Sequence, residues 1–288
     1  MAQSYLSLLR ENAQAHRSIV CFGLDPDINK IPATIITNST EEKITKFYSD
    51  IIDSLPSDKS SVSALKPNYA WFAQYGFDGL RALKALIDKY RGNYTIIFDG
   101  KRGDIGTSSE AYAREAFDFF GAHALTVSPY MGEDSVKPFI KRCSEGRGIY
   151  ILCRTSNSGA SDFQSQDMAL TEKPLYISVA KKALEWHADG VGLVIGATNT
   201  DELEGIYWAI EPTGKEVPFL IPGVGAQGGS AADVAKTLRS VASGQLLLHR
   251  INASSSIAYA WQKKETSDYV GAALSEIDSM NRAIALRI

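Results

Sequence analysis

The sequence predicts a single (β/α)8 TIM barrel with a helix ahead of the first strand and a helical extension after the last. Three observations predict it. Short apolar runs that read as buried strands alternate with amphipathic helical stretches along 288 residues. No linker, low-complexity tract or internal repeat breaks the alternation, so residues 1–288 read as one domain. Charged or turn-forming residues follow nearly every apolar run, where a barrel gathers its functional groups.

Residues 4–15 carry leucines at 6, 8 and 9 among polar positions, a short helix suited to closing one end of the barrel. Residues 18–24 form the first strand, stopped by Asp25-Pro26-Asp27. Apolar residues recur at helical spacing over 41–55 until Pro56 ends them. Residues 61–65 are the second strand, running into Lys66-Pro67-Asn68, and 76–90 are the next helix. The third strand, 95–98, is too apolar to lie at the surface. A helix over 108–120 should be capped by Thr107 or Ser108, with Glu110 in its first turn.

Residues 123–128 are the fourth strand and 134–143 its helix, and 148–153 are the fifth strand. The polar, aperiodic stretch 158–173 reads as a lid or binding loop. Helix 175–187, strand 190–195, helix 200–210 and strand 218–221 follow, and residues 244–248 are expected to open the eighth strand. Helices fill the remainder from 257.

A hydrophobic content of 44% provides a full core, and a net charge of −3 with scattered basic residues excludes a nucleic-acid footprint. Cys21, Cys143 and Cys153 form no C-x-x-C pair, which argues against disulfides or structural zinc and fits a reducing cytoplasm. The N-terminus lacks the apolar core of a secretory signal, and no run approaches the roughly 18 apolar residues of a membrane span. His16, His123, His187 and His249 are dispersed and read as structural, not as metal ligands. Tyr69, Trp71, Phe72, Tyr75 and Phe77 read as core or interface packing.

The chemistry concentrates in Asp99-Gly100-Lys101-Arg102-Gly103-Asp104. Strand alternation points Asp99 and Lys101 the same way, with Asp104 arriving from the loop beyond, so one lysine should sit between two carboxylates. An acidic frame keeps an ammonium protonated, which suits a proton donor and not a Schiff-base nucleophile. Lys101 also takes the place that a cation between Asp99 and Asp104 would need, so neither metal nor cofactor is expected. The glycine-rich run 223–229 ahead of a helix near Ser230 offers backbone N–H groups to a phosphate. Ser156 lacks a Gly-x-Ser-x-Gly frame and reads as a hydrogen-bond partner of a substrate.

Asp99-x-Lys101-x-x-Asp104-Ile105, together with Leu65-Lys66-Pro67, Thr155-Ser156-Asn157 and the run from Pro222 to Gly229, resembles the orotidine 5′-monophosphate decarboxylase family. The resemblance is to its bacterial-type, long-lid branch and runs from about Cys21 to Ala260. It implies cofactor-free decarboxylation of orotidine 5′-monophosphate to UMP, with Lys101 protonating a carbanion at C6 and Asp99 crowding the departing carboxylate. Lys66 would bridge the acidic network and the ribose, whose hydroxyls Asp25 would bind. Ser156, Pro222 and Val224 would contact the base and Gln227 the phosphate, and Ser108 stands where threonine is frequent. Asp104 and Ile105 would cross into the neighbouring site of a homodimer.

Asn252-Ala253-Ser254-Ser255-Ser256 departs from the family's Asn-Ser-Ser-Arg-Gly, and Ser255 takes the place of the phosphate-gripping arginine. Ser128 and Ser158 depart more mildly, from asparagine and proline. Losing a charged hydrogen bond would weaken phosphate affinity about tenfold or more. The groups available to compensate are the serine hydroxyls, backbone N–H groups and Arg250. Two other readings stand beside this one. A Mg²⁺-dependent sugar-phosphate lyase of the same barrel family would need an acid in place of Lys66, and a catalytically silent barrel would only bind nucleotides.

Overall fold

The computed structural model describes residues 3–57, 59–225 and 228–286. Eight parallel strands close a barrel in the order β1 (Val20–Leu24), β2 (Ala64–Pro67), β3 (Thr95–Arg102), β4 (Ala124–Val127), β5 (Gly148–Arg154), β8 (Val191–Ile195), β9 (Phe219–Ile221) and β10 (Arg250–Ala253). Period-two alternation sorts their side chains. Cys21, Ala64, Ile97, Ala124, Tyr150, Val194 and Leu220 fill the interior. Their neighbours Phe22, Leu65, Phe98, Leu125, Ile149, Leu193 and Phe219 pack outward against the helices. Both faces are covered, which is why the strands are so nearly apolar throughout.

The N-terminal helix α1 (Tyr5–Ala15), capped by Ser4, plugs the N-terminal end of the barrel as expected. Tyr5 Oη donates to Tyr150 Oη at 3.0 Å, and the Arg250 guanidinium donates to the Leu9 carbonyl at 2.6 Å. Tyr5 lies so close to Gly148 that a Cβ there would fall 2.3 Å from the ring. At the other end of the chain, Asn281 of the last helix (Tyr269–Ile284) accepts from Ser18 and donates to the Ser61 carbonyl, each at 2.7 Å. The C-terminal helix is thereby tied to the barrel.

Three local expectations change. Residues 243–248 form a 3-10 helix, and the last barrel strand starts at Arg250. A run of three leucines carries no period, and here it tucks Leu248 in beside α1. The helix expected from Ser108 runs from Gly106 to Arg114, with Ile105 at its N-cap and no side-chain cap, and then widens into a π turn over Glu115–Phe119. The stretch 158–173 holds a 3-10 turn (Ser158–Asp162) and the hairpin strands β6 (Asp167–Met168) and β7 (Lys173–Pro174), with exposed Leu170 between them.

The histidines at strand ends are structural: Nδ1 of His123 accepts from the Ile96 N–H at 2.9 Å, and Nδ1 of His249 accepts from the Phe219 N–H at 3.1 Å. Burial pushes their pKa values down to about 4 and about 3. The aromatic group divides. Phe72 is fully buried and Tyr69 and Tyr75 pack on the core, but Phe77 is exposed. The three cysteines are buried and free. Among the described residues, no helix is long and apolar enough to cross a membrane.

Candidate active site

A pocket of about 420 Å³ opens at the C-terminal ends of the barrel strands. Asp25 follows β1, Lys66 lies on β2, Asp99 and Lys101 on β3, Ser156 follows β5, Pro222 and Val224 follow β9, and Ser254 and Ser255 follow β10. All nine of these residues line it. Each stands where its strand stops burying apolar side chains and its Cβ can face the mouth.

Asp99 is the hub. Its Oδ2 accepts from Lys66 Nζ at 2.7 Å, and its Oδ1 accepts from Lys101 Nζ at 2.7 Å and from the Thr126 hydroxyl at 2.9 Å. Asp99 and Lys66 are 7% and 4% exposed, so this pair is inside the protein, whereas half of the Lys101 side chain faces the open pocket. Burial alone would raise the Asp99 pKa, but the pull of Lys66 and Lys101 and their hydrogen bonds outweigh it and hold the carboxyl well below the usual range. Burial likewise pulls Lys66 down, and Asp99 and Asp25 more than reverse it. An ionised carboxylate between two ammonium groups, one of them free to reach a ligand, is the result.

This inverts the expected frame, in which one lysine stood between two carboxylates. Among the described residues, Asp104 makes no ion pair with Lys101. The chain turns at Gly103, which lies so close to the end of β4 that a Cβ would meet the Ser128 carbonyl at 2.9 Å, and it carries Asp104 away to the position just before the Ile105 N-cap of the next helix. There Asp104 Oδ1 accepts from the Ile105 N–H at 2.7 Å. Asp104, Ile105 and Ser108 all lie outside the pocket of their own chain. Ile105 is 61% exposed.

Arg250, named above as a compensating cation, sits at the opposite end of the barrel. It is fully buried and spends its guanidinium on the carbonyls of Leu9, Leu247 and His249. The glycine-rich loop also keeps part of its donors: the N–H groups of Gly225, Gly228 and Gly229 bond the loop's own carbonyls at 3.0 Å. Gln227 lies outside the described residues. Asn68, Thr126, Leu152 and Asn252 line the pocket and were not anticipated. Thr126 and Asn252 had a readable signal, a polar side chain inside an apolar strand.

Asp25 is largely buried, its Oδ1 has no hydrogen-bond partner among the described residues, and burial raises its pKa despite the attraction of Lys66 and a Ser254 hydrogen bond. A raised folded-state pKa makes ionisation unfavourable to folding above that pKa and neutral below the ordinary value of 3.8. Asp25→Asn therefore melts at a higher temperature than wild type at pH 7. The gap closes as pH falls through the folded pKa of Asp25 towards 3.8, which thermal melts across pH check.

A family model described as "Orotidine 5'-phosphate decarboxylase / HUMPS family" matches residues 18–268. The chain is 39% identical over 264 residues to the orotidine 5′-phosphate decarboxylase of Delftia acidovorans, covering 90% of each chain. It is 41% identical over 260 residues to that of Bordetella pertussis, covering 89% of this chain and 90% of the relative. The solved OMP decarboxylase of Leishmania donovani superposes with a TM-score of 0.75 at 30% identity, covering 98% of this chain and 100% of that one. With a closed parallel barrel, a lysine–aspartate–lysine chain at its mouth and relatives this similar over nearly their whole length, the chain belongs to the orotidine 5′-phosphate decarboxylase / HUMPS family.

Proposed function

We propose that this chain decarboxylates orotidine 5′-monophosphate to UMP in pyrimidine biosynthesis, and that Lys101 is the proton donor. The observation that carries the reading is the Lys66–Asp99–Lys101 chain, with both contacts at 2.7 Å inside the pocket. The bond from C6 to its carboxylate breaks, CO₂ leaves, and the electron pair stays on C6. The Lys101 ammonium faces that developing charge, gives C6 its proton, and recovers one from solvent. A fixed cation in a partly water-excluded site stabilises charge where it appears. Asp99, kept ionised by its two lysines, repels the substrate carboxylate and favours its departure.

Asp25 and Lys66 face the ribose in this scheme, Ser156, Pro222 and Val224 the base, and Gln227, Ser254 and Ser255 the phosphate. Asp104, Ile105 and Ser108 lie outside their own pocket, which fits a homodimer in which Asp104 and Ile105 complete the partner's site. Exposed Phe77, Ile105, Tyr130 and Met131 supply apolar surface for it. The reading places the enzyme in the cytoplasm, without a membrane or nucleic-acid partner. A magnesium-dependent lyase is disfavoured because buried Lys66, not an acid, stands near the end of β2 and occupies Asp99. Chromatography of an EDTA-treated reaction tests the proposal: UMP appearing as substrate disappears supports it, and unchanged substrate contradicts it.

Ser255 opens a short helix (Ser255–Ala258) at the pocket wall, and buried Arg250 does not reach it. Ser255→Arg therefore lowers KM about tenfold or more, the worth of one charged hydrogen bond to phosphate. Steady-state kinetics check this, and an unchanged KM means that hydroxyls and backbone groups already hold the phosphate.

A further inference from the structure

We infer that Thr126 is a positioning residue for this decarboxylation, its one hydroxyl fixing Asp99 and Lys101 relative to each other so that the ammonium faces C6. The inference rests on the activity proposed above and supplies what holds its proton donor in place.

Thr126 is the polar residue of the four-residue strand Ala124-Leu125-Thr126-Val127, and it is 1% exposed. An isosteric valine would pack equally well in an apolar strand, so packing does not account for the hydroxyl. Its Oγ1 donates to Asp99 Oδ1 at 2.9 Å and accepts from the Lys101 backbone N–H at 2.9 Å. A hydroxyl has one proton and two lone pairs, so both bonds form together and each fixes the direction of the other.

The site of this bridge is where the sheet ladder is interrupted. Phe98 pairs with Leu125 and Arg102 with Val127, so a four-residue step on β3 faces a two-residue step on β4. The extra length bulges out and carries Asp99 and Lys101 into the pocket. Lys101 has φ of +46°, a left-handed backbone that a lysine holds only with outside support. Main-chain pairing resumes where the Ser128 N–H donates to the Arg102 carbonyl at 2.7 Å. Across the gap, the Thr126 hydroxyl takes the place of a ladder hydrogen bond and ties the bulge to the carboxylate that Lys101 Nζ contacts.

Without the hydroxyl, Lys66 and Lys101 still hold Asp99, so the pocket and its charges persist. The Lys101 N–H loses its partner, the bulge relaxes, and the ammonium drifts from the reacting carbon. Such displacement falls on the chemical step and not on substrate affinity.

Thr126→Val and Thr126→Ser, assayed with orotidine 5′-monophosphate, test this. Thr126→Val lowers kcat about ten- to hundredfold and leaves KM within about twofold. Thr126→Ser keeps both hydrogen bonds and retains kcat within about threefold of wild type. Should the valine variant not fold, Thr126→Ala against Thr126→Ser gives the same contrast. A Thr126→Val enzyme with unchanged kcat, or a serine variant as slow as the valine one, overturns the positioning role alone. A folded wild type without turnover overturns the activity and the role with it.

Discussion

Lys101→Ala lowers kcat by about 10³-fold or more while leaving the protein folded and able to bind the nucleotide. Lys101 is the one member of the triad whose side chain is half exposed, and among the described residues its ammonium is held by Asp99 alone. Its removal leaves Asp99 paired with Lys66 and bonded by Thr126, so stability changes little. What disappears is the cation opposite the developing carbanion and the proton that quenches it. Rate and KM measured together check this: a fall in kcat at nearly constant KM is the signature of an interaction made in the transition state. A variant that loses affinity but keeps its rate removes Lys101 from the chemistry.

Asp99→Ala produces a second large effect, on stability as well as rate. It strands the Lys66 ammonium, 4% exposed, without its partner, and breaking one side of a buried ion pair costs roughly 3–5 kcal/mol. For a domain of this size that is a fall in melting temperature of about 5–8 °C. The sign of its pH dependence is opposite to that of Asp25. Because the folded-state pKa of Asp99 is depressed, its contribution is present above the ordinary value of 3.8 and is lost as pH falls through the folded pKa. Wild type and Asp99→Ala melts therefore diverge at neutral pH and converge below 3.8, whereas a constant gap would assign the loss to packing.

The two aspartates show how far the sequence could be read. Asp99 and Lys101 were placed on one face by strand alternation alone, and they do share a contact of 2.7 Å. Asp104 could not be placed in that way, because its direction depends on how Gly103 packs against the next strand, a tertiary fact. The second charged neighbour in the cluster is instead Lys66, 33 positions from Asp99 in the sequence but one strand away in the barrel, where Asn68 bridges directly to Asp99.

Arg250 illustrates the opposite error. It lies five residues before Ser255, which at about 3.3 Å per strand residue is the length of the barrel wall and not a neighbouring position. Its charge faces the plug helix α1, and the carbonyls that receive it belong to residues whose arrangement no linear pattern records. Residues 244–248, expected to open a strand, lie in a 3-10 helix because consecutive leucines suit a buried strand and a tight helical turn equally. Thr126 was readable in principle: a hydroxyl at an inward position of an apolar strand has to be bonded to something.

The central claim, that the Lys66–Asp99–Lys101 pocket decarboxylates orotidine 5′-monophosphate, is tested most directly by the ultraviolet change on conversion to UMP. The measurement is made with EDTA present and over a wide range of substrate concentration. The account predicts turnover that saturates, with an elevated KM that Ser255→Arg lowers. No turnover at saturating substrate, by a folded protein that still binds the nucleotide, would contradict it and leave a binding protein.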